Sequence, residues 1–217
     1  MFAKISYPKI NSFSQDLMDE MQSAFDFKIN LDLHTINYNN YSDQVEYITA
    51  WNYQDFSFQK RLFKDKKTFY LYTNGGIVPR KIFDENIKIL HVHPGIVPDI
   101  RGSDCLLWSL LEREKLGYSC FFMNAGIDTG DVLYQQEFDP IRFPKLFPLY
   151  ENYSQDVYTS LLKAFDPHFR GKILVSTIQA VNGNLDLLEG KKQNSLLGRE
   201  FFSMHPLLVK KCLKKFF

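Results

Sequence analysis

Hydrophobic and polar positions alternate with two different periods along the chain, which predicts strands interleaved with helices. Alternation with a period of two indicates strands at 31–38 and 45–51, and apolar positions three and four residues apart indicate helices at 13–25 and 55–63. Further along, the pattern predicts strands at 68–72, 87–92, 118–123 and 132–138 and helices at 105–114, 154–165 and 206–216. This order predicts an α/β fold with a mainly parallel sheet flanked by helices. In such folds the ligand site lies beyond the carboxyl ends of the strands.

The composition is that of a globular protein. Apolar residues make up 45% of the 217 positions, and we expect residues 1–217 to form one domain, with a motif-bearing core at 68–138 and a helical extension at 151–217. The formal net charge of +1 argues against a broad basic face for nucleic acid. Three cysteines without metal-ligand spacing, and no apolar stretch of membrane-spanning length, favour a cytoplasmic protein that does not enter a membrane. The aromatic C-terminal half is compatible with a homodimer.

The segment from His91 to Gly102, HVHPGIVPDIRG, is the most informative in the chain. In a strand, the period of two puts His91 and His93 on one face and Val92 on the other. The Pro-Gly pair that follows ends the strand, so both imidazoles should stand at its carboxyl end. Open α/β sheets bind their ligands there.

A second segment, GIDTGDVL at 126–133, carries a carboxylate within a glycine-containing turn. In isolation its aspartates would be turn formers. Asp128 follows His93 by 35 residues, and we expect it to reach that imidazole. A carboxylate beside an imidazole favours the charged ring and fixes its orientation, which gives a group able to stabilise an oxyanion and to relay protons.

The order and spacing of these segments resemble the formyltransferase family, in which Asn-x-His-Pro at a strand end is followed by Leu-Pro-x-x-Arg-Gly and Asp-x-Gly loops. The matching residues are HVHP at 91–94, VPDIRG at 97–102 and DTG at 128–130. The resemblance spans roughly residues 68–138 and is closest in type to sugar N-formyltransferases. It implies a Rossmann-like formyltransferase fold and an enzyme that transfers a formyl group from N10-formyltetrahydrofolate, its co-substrate, to a primary amine.

The resemblance also implies catalytic roles for three residues. His93 would stabilise the oxyanion or relay a proton, and Asp128 would hold and charge its imidazole. His91 occupies the position of the family asparagine. Since imidazole still offers an N–H, we expect His91 to donate to the oxyanion or substrate, while lost or altered chemistry is the alternative.

Ligand contacts follow from the same resemblance. The expected folate contacts are Gly76, Ile77, Val78, Pro79, Met123, Asn124, Ala125 and Gly126. Asn124 could instead cap a turn. Gly95 and Arg101 are expected at the substrate, although Arg101 could equally brace its own loop by pairing with Asp99 or Asp104.

The amine is identified by elimination. No glycine-rich phosphate loop follows a first strand, and no basic RNA-binding appendage is evident. These features disfavour a phosphoribosyl amine and an initiator tRNA, and leave a nucleotide-linked amino sugar as the small-molecule partner. Two alternatives are hydrolysis of formyltetrahydrofolate, which would use the same His93–Asp128 pair, and a ligand-binding protein that has lost catalysis.

A metal site is a further interpretation of the histidine pair. Histidines at i and i+2 on a strand converge, and Asp128 or Asp131 could complete a set of ligands. The Pro-Gly and Arg-Gly continuation has no role in that account, so no metal is expected.

Overall fold

A computed structural model of the chain describes residues 69–73, 78–85, 87–143, 157–159, 161–194 and 196–216, with a few positions before residue 44. The strand predicted at 45–51 and the helix predicted at 55–63 lie outside the described residues. Within 13–25, the described positions are helical, as predicted. The strand predicted at 31–38 is described only at Tyr38, which instead begins a 3₁₀ turn, Tyr38–Asn40.

Six strands are described. They are β1 (Phe69–Tyr72), β2 (Lys88–His93), β3 (Ile100–Gly102), β4 (Leu116–Phe122), β5 (Val132–Phe138) and β6 (Arg199–Phe201). The main sheet has the order β1-β2-β4-β5, and β3 pairs with β6 in a second, two-stranded sheet.

The main sheet is mixed within the described residues. β1 is parallel to β2, whereas β2 pairs with β4, and β4 with β5, in antiparallel fashion. The prediction of a mainly parallel sheet is therefore not met in this part of the chain. The connection between β4 and β5, 123–131, is shorter than the dozen or so residues that a parallel crossover needs, so these two strands form a hairpin.

Three α-helices are described: α1 (Cys105–Arg113), α2 (Asp166–Gln179) and α3 (Pro206–Leu213). Further helical residues are 157–159, the 3₁₀ turns Arg80–Glu85 and Leu185–Leu187, and the π-turn Leu161–Phe165. Of the helix predicted at 154–165, residues 157–159 are helical, and the π-turn at Leu161–Phe165 leads directly into α2 instead of ending at 165. Pro167 resembles a helix stop in the sequence, but a proline in the first turn lacks only an N–H that would have no helical partner.

The two central strands of the main sheet, β2 and β4, are buried on both faces. Leu90 and Val92 of β2 belong to the larger core, which includes Leu110, Tyr118, Phe169, Ile173, Leu213 and Phe216. Ile89 belongs to a smaller cluster with Val78 and Ile82. Because side chains alternate along a strand, His91 and His93 share the face of Ile89, as the sequence predicted. A sheet covered by helices confirms the α/β class, and no described helix is both long and apolar enough to cross a membrane.

Two glycines provide a matched test of this packing. A Cβ at Gly130 would lie 1.6 Å from the carbonyl oxygen of Phe122, whereas one at Gly171, in α2, would have no neighbour within 4 Å. We expect Gly130→Ala to lower the free energy of unfolding by about 1–3 kcal/mol or more, as overpacking does. Gly171→Ala should raise it by about 0.5–1 kcal/mol, because glycine weakens helix interiors. Urea denaturation measures both changes, and equal stabilities of the two variants would contradict the described hairpin.

Candidate active site

The carboxyl ends of β1 and β2 open into a cavity of about 890 Å³. Small-molecule sites commonly have volumes of about 300–1,000 Å³. The connection between β4 and β5, the start of α1, α2 and the end of β6 supply the rest of the lining. The cavity therefore lies where the sequence predicted a ligand site, beyond the strand ends.

His93 is held at the inner end of this cavity. Its side chain is buried, and its Nε2 donates a hydrogen bond of 3.1 Å to the carbonyl oxygen of Ile100. Its Nδ1 lies 3.5 Å from Oδ2 of Asp128. Burial lowers the pKa of His93, and the Asp128 carboxylate opposes that shift. The two side chains predicted to form the catalytic pair therefore face each other.

Asp128 is fixed by backbone groups. Its Oδ2 accepts a hydrogen bond of 2.9 Å from the N–H of Gly102, and its φ of 51° lies in the left-handed region, which non-glycine residues seldom adopt. Gln193 adds support, because its Nε2 donates to the carbonyl oxygens of Asp128 (3.0 Å) and Gly130 (2.6 Å). Such strained backbone concentrates at functional sites, where the surrounding structure holds it in place.

The loop after β2 is braced by two polar side chains that the sequence analysis missed. Ser119 donates to the carbonyl oxygen of Gly95 (2.6 Å) and accepts from the N–H of Val97 (3.1 Å). Gln135 donates to Ser119 (2.9 Å) and to the carbonyl oxygen of Val97 (2.6 Å). No motif marks these residues. What connects them to the site is strand register, because β4 places Ser119 opposite both His93 and Gln135.

The lack of a side chain at Gly95 lets the loop after β2 approach the His93 imidazole closely. A Cβ at this position would lie 2.6 Å from the carbonyl oxygen of Ile100 and 2.8 Å from Nε2 of His93. Any larger residue would push against the hydrogen bond that orients the ring. The Pro-Gly pair therefore shapes the loop as well as ending the strand.

His91 is a hydrogen-bond acceptor toward the cavity. Its Nδ1 donates to the carbonyl oxygen of Tyr72 at 2.9 Å, and burial lowers its pKa to about 4. A neutral ring with its proton on Nδ1 carries a lone pair on Nε2. The expected donation to an oxyanion would need a second proton on this ring, which the lowered pKa opposes.

An ion pair from α2, between buried Asp166 and half-buried Arg170, also lines the cavity, and no motif pointed to it. Arg170 donates from Nε to Oδ2 of Asp166 (2.6 Å) and from Nη1 to the carbonyl oxygen of Val92 (2.5 Å). Burial raises the pKa of Asp166, while Arg170 opposes that shift. The only sequence signal was the i, i+4 spacing of opposite charges.

The predicted folate contacts are partly described. Val78, Met123, Asn124, Ala125 and Gly126 line the cavity, whereas Gly76 and Ile77 lie outside the described residues. Pro79 follows Val78 but is not among the described lining residues. Oδ1 of Asn124 accepts from the N–H of Gly126 (2.9 Å) and the hydroxyl of Thr129 (2.8 Å), which gives Asn124 a turn-capping role. Their contact with folate stays a prediction.

The two residues predicted at the substrate have described contacts within the loop after β2. Arg101 is buried, and its Nε donates to the carbonyl oxygen of Pro98 at 3.2 Å, so it braces its own loop through a carbonyl group rather than through the predicted Asp99 or Asp104 carboxylate. Asp99 pairs with Arg113 at 2.8 Å. Neither Gly95 nor Arg101 is among the described residues that line the cavity, and their contact with substrate stays a prediction.

The sequence of this region is similar to formyl transferases. Residues 74–143 match the family described as formyl transferase. The chain is 35% identical over 65 residues to a methionyl-tRNA formyltransferase of Syntrophus aciditrophicus. These 65 residues make up 29% of this chain and 21% of that protein. It is 35% identical over 63 residues to a cytosolic 10-formyltetrahydrofolate dehydrogenase of Xenopus tropicalis, 28% of this chain and 7% of that protein. The matches thus span 21% or less of these relatives.

A solved structure shares the fold. A variant of HypX from Aquifex aeolicus superposes with a TM-score of 0.52 at 16% identity, covering 82% of this chain and 31% of that one. The predicted resemblance to formyl transferases and the Rossmann-like α/β class are therefore confirmed.

The lowered pKa of His91 makes stability depend on pH. Between pH 6.5 and about 4, the unfolded chain binds more protons at residue 91 than the folded chain does, so stability falls as the pH falls through this window. We expect wild type to lose up to about 3 kcal/mol more than His91→Asn, which cannot titrate. Urea denaturation at pH 7 and pH 4 measures the difference, and parallel losses in both proteins would contradict a neutral His91.

Proposed function

We propose that this protein transfers a formyl group from N10-formyltetrahydrofolate to a primary amine of a small metabolite, and that the amine belongs to a nucleotide-linked amino sugar. The observation that carries the proposal is the apposition of His93 and Asp128 at 3.5 Å beside a ligand-sized cavity. Both residues lie in the segment that matches formyl transferases.

The reaction requires one addition and one elimination. The amine nitrogen attacks the formyl carbon, and the carbonyl oxygen becomes an oxyanion. The bond from carbon to N10 then breaks, the amine nitrogen loses a proton, and N10 gains one. The protein must therefore stabilise a transient negative oxygen and move a proton between two nitrogens.

His93 and Asp128 are suited to the first task, the stabilisation of the oxyanion. The hydrogen bond from Nε2 of His93 to Ile100 leaves Nδ1 as the nitrogen that faces Asp128. When charged, this ring can donate Nδ1–H to the developing oxyanion, and the carboxylate stabilises the imidazolium. In a buried site such a preorganised donor is worth more than in water.

His91 is suited to the second task, the handling of the amine proton. Its neutral ring offers a lone pair on Nε2, because the proton on Nδ1 is bound to the carbonyl oxygen of Tyr72. That lone pair can accept the N–H of the attacking amine and orient its nitrogen toward the formyl carbon. In this proposal His91 acts on the nucleophile and His93 on the oxyanion.

Two features support the carrier, and two others support the nucleotide. The Xenopus relative is named for 10-formyltetrahydrofolate, and apolar Val78 and Met123 lie in the lining where a flat pterin ring would pack. Phe202 also lines the cavity and is 78% exposed, so its ring is available to stack on a heterocycle. Arg170 has five donors, of which Asp166 and Val92 take two, so others can bind a phosphate oxygen.

Transfer to a tRNA-borne amine is a second candidate, because the Syntrophus relative is named methionyl-tRNA formyltransferase. The formal charge of +1 weighs against a large polyanionic partner. Hydrolysis is a third candidate, because water could replace the amine at the same pair. Incubation with the carrier alone separates it: steady formate release without an amine would establish hydrolysis and contradict transfer.

We expect His93→Ala and Asp128→Ala each to lower turnover on the order of 10²–10⁴-fold, the usual contribution of acid–base and oxyanion groups. Asp131→Asn is the matched control, because Asp131 lies in the same connection but is not among the described lining residues, and its turnover should match wild type. The assay follows tetrahydrofolate by absorbance and the formamide product by mass spectrometry, with nucleotide-linked amino sugars and with methionyl-tRNA.

Near-normal turnover in both alanine variants would refute the assigned pair. Folate binding without turnover of any amine would instead support a protein that has lost catalysis. Formylation of the tRNA alone would retain the reaction and reject the amino sugar.

A further inference from the structure

One guanidinium lies among several carboxylates in the wall of the cavity. Within the described residues, Arg170 is the only lysine or arginine that lines it. The lining carboxylates are those of Asp104, Asp128, Asp166 and Glu200. Because like charges repel, a negatively charged group of a ligand has one favourable place in this wall, and that place is beside Arg170.

Arg170 is held in one orientation by two buried acceptors. Its Nε donates to Oδ2 of Asp166 at 2.6 Å, and its Nη1 donates to the carbonyl oxygen of Val92 at 2.5 Å. No other described residue pairs with this guanidinium, so its remaining N–H groups stay available. Because the guanidinium is planar and already oriented, these donors can bind two oxygens of one phosphate at little cost in conformational entropy.

Stability alone does not explain why this ion pair is present. Phe169 and Ile173 of α2 belong to the larger core, and the Asp166 carboxylate is buried on the same helix. Removing a carboxylate from water is costly, and well-packed apolar side chains are often as stabilising as a buried ion pair, or more so. A ligand that needs the available donors of Arg170 accounts for the pair better than packing does.

Gly171 leaves room for a ligand next to the guanidinium. It follows Arg170 in α2 and also lines the cavity, and a Cβ at this position would have no neighbour within 4 Å. Glycine weakens a helix interior, and no neighbouring atom requires one here. The open space beside Gly171 therefore gives a ligand access to this face of α2.

We propose that Arg170, oriented by Asp166 and flanked by the open space at Gly171, binds a phosphate group of the substrate. The inference rests on the proposed function for the identity of the substrate, and it adds the residues that select a phosphate-bearing amine. Asp166 is a positioning residue in this proposal, because it acts through the guanidinium. Val92 lies between the two histidines of β2, so a phosphate at Arg170 would be held close to the catalytic end of the cavity.

The test is phosphate binding by the full chain in the absence of turnover. Inorganic pyrophosphate is the probe, because it carries the phosphates of a nucleoside diphosphate without a base or a sugar. Calorimetry at low salt, where screening is weak, should show one saturable site per chain in wild type. The variant Asp166→Leu/Arg170→Leu replaces the pair with apolar side chains and leaves no buried charge unpaired. It should bind pyrophosphate on the order of 10–100-fold more weakly, since hydrogen bonds to charged groups contribute on this scale.

Two single variants test the steric part of the proposal and the choice of cation. Gly171→Leu keeps the ion pair and should fold at least as stably as wild type, because leucine favours a helix. Its side chain would occupy the open space, so pyrophosphate binding should weaken although stability does not fall. Lys172→Gln is the matched control. It removes the next cation of α2, whose Nζ lies 5.1 Å from the centre of the Phe138 ring and which is not among the described lining residues, so its affinity should equal that of wild type.

Tetrahydrofolate distinguishes two sources of the anion, since the glutamate of the carrier also bears carboxylates. The double variant should bind tetrahydrofolate as tightly as wild type does, and weaker binding would assign Arg170 to the carrier and overturn the proposal. Absence of saturable pyrophosphate binding by wild type, or wild-type affinity in the folded double variant or in Gly171→Leu, would also overturn it. If pyrophosphate binds as expected but no amine is formylated, the proposed function fails and the phosphate subsite stands.

Discussion

The site depends on one interaction, the buried approach of the His93 imidazole to the Asp128 carboxylate. Burial disfavours charge on the ring, and the carboxylate favours it. The two effects act on a ring whose orientation is already set by the carbonyl oxygen of Ile100. Because that orientation is fixed, a charged ring would not need to turn before it donated Nδ1–H.

Distant parts of the chain maintain that approach. β3 pairs with β6, so Gly102, whose N–H holds Asp128, is fixed by residues almost one hundred positions later. Gln193 holds the backbone of Asp128 from the same C-terminal region. Ser119 and Gln135 hold the loop from the sheet side. The C-terminal segment thus completes a site whose motif residues all lie before residue 131.

Local patterns predicted the elements that carry the motifs, and long-range contacts account for the rest. β5 has its predicted limits because alternation and turn residues mark both ends, and the common face of His91 and His93 follows from strand periodicity. The antiparallel pairing of β4 with β2 was not predictable, because β–α alternation alone does not fix strand direction. The pairing of β4 with β5 could have been predicted, since the connection between the two strands is too short for a parallel crossover. α2 and its Arg170 were missed because Pro167 resembles the end of a helix. That His91 is a hydrogen-bond acceptor toward the cavity could not be predicted either, because it depends on a carbonyl oxygen of the neighbouring strand.

A double-mutant cycle tests the central interaction most directly. The second-order rate constant kcat/KM for formyl transfer is compared in wild type, His93→Ala, Asp128→Asn and the double variant. If Asp128 acts through the imidazole, the double variant should be hardly slower than His93→Ala alone, because the pair works as a unit. Fully additive losses would show that the two groups act separately, which would contradict the account.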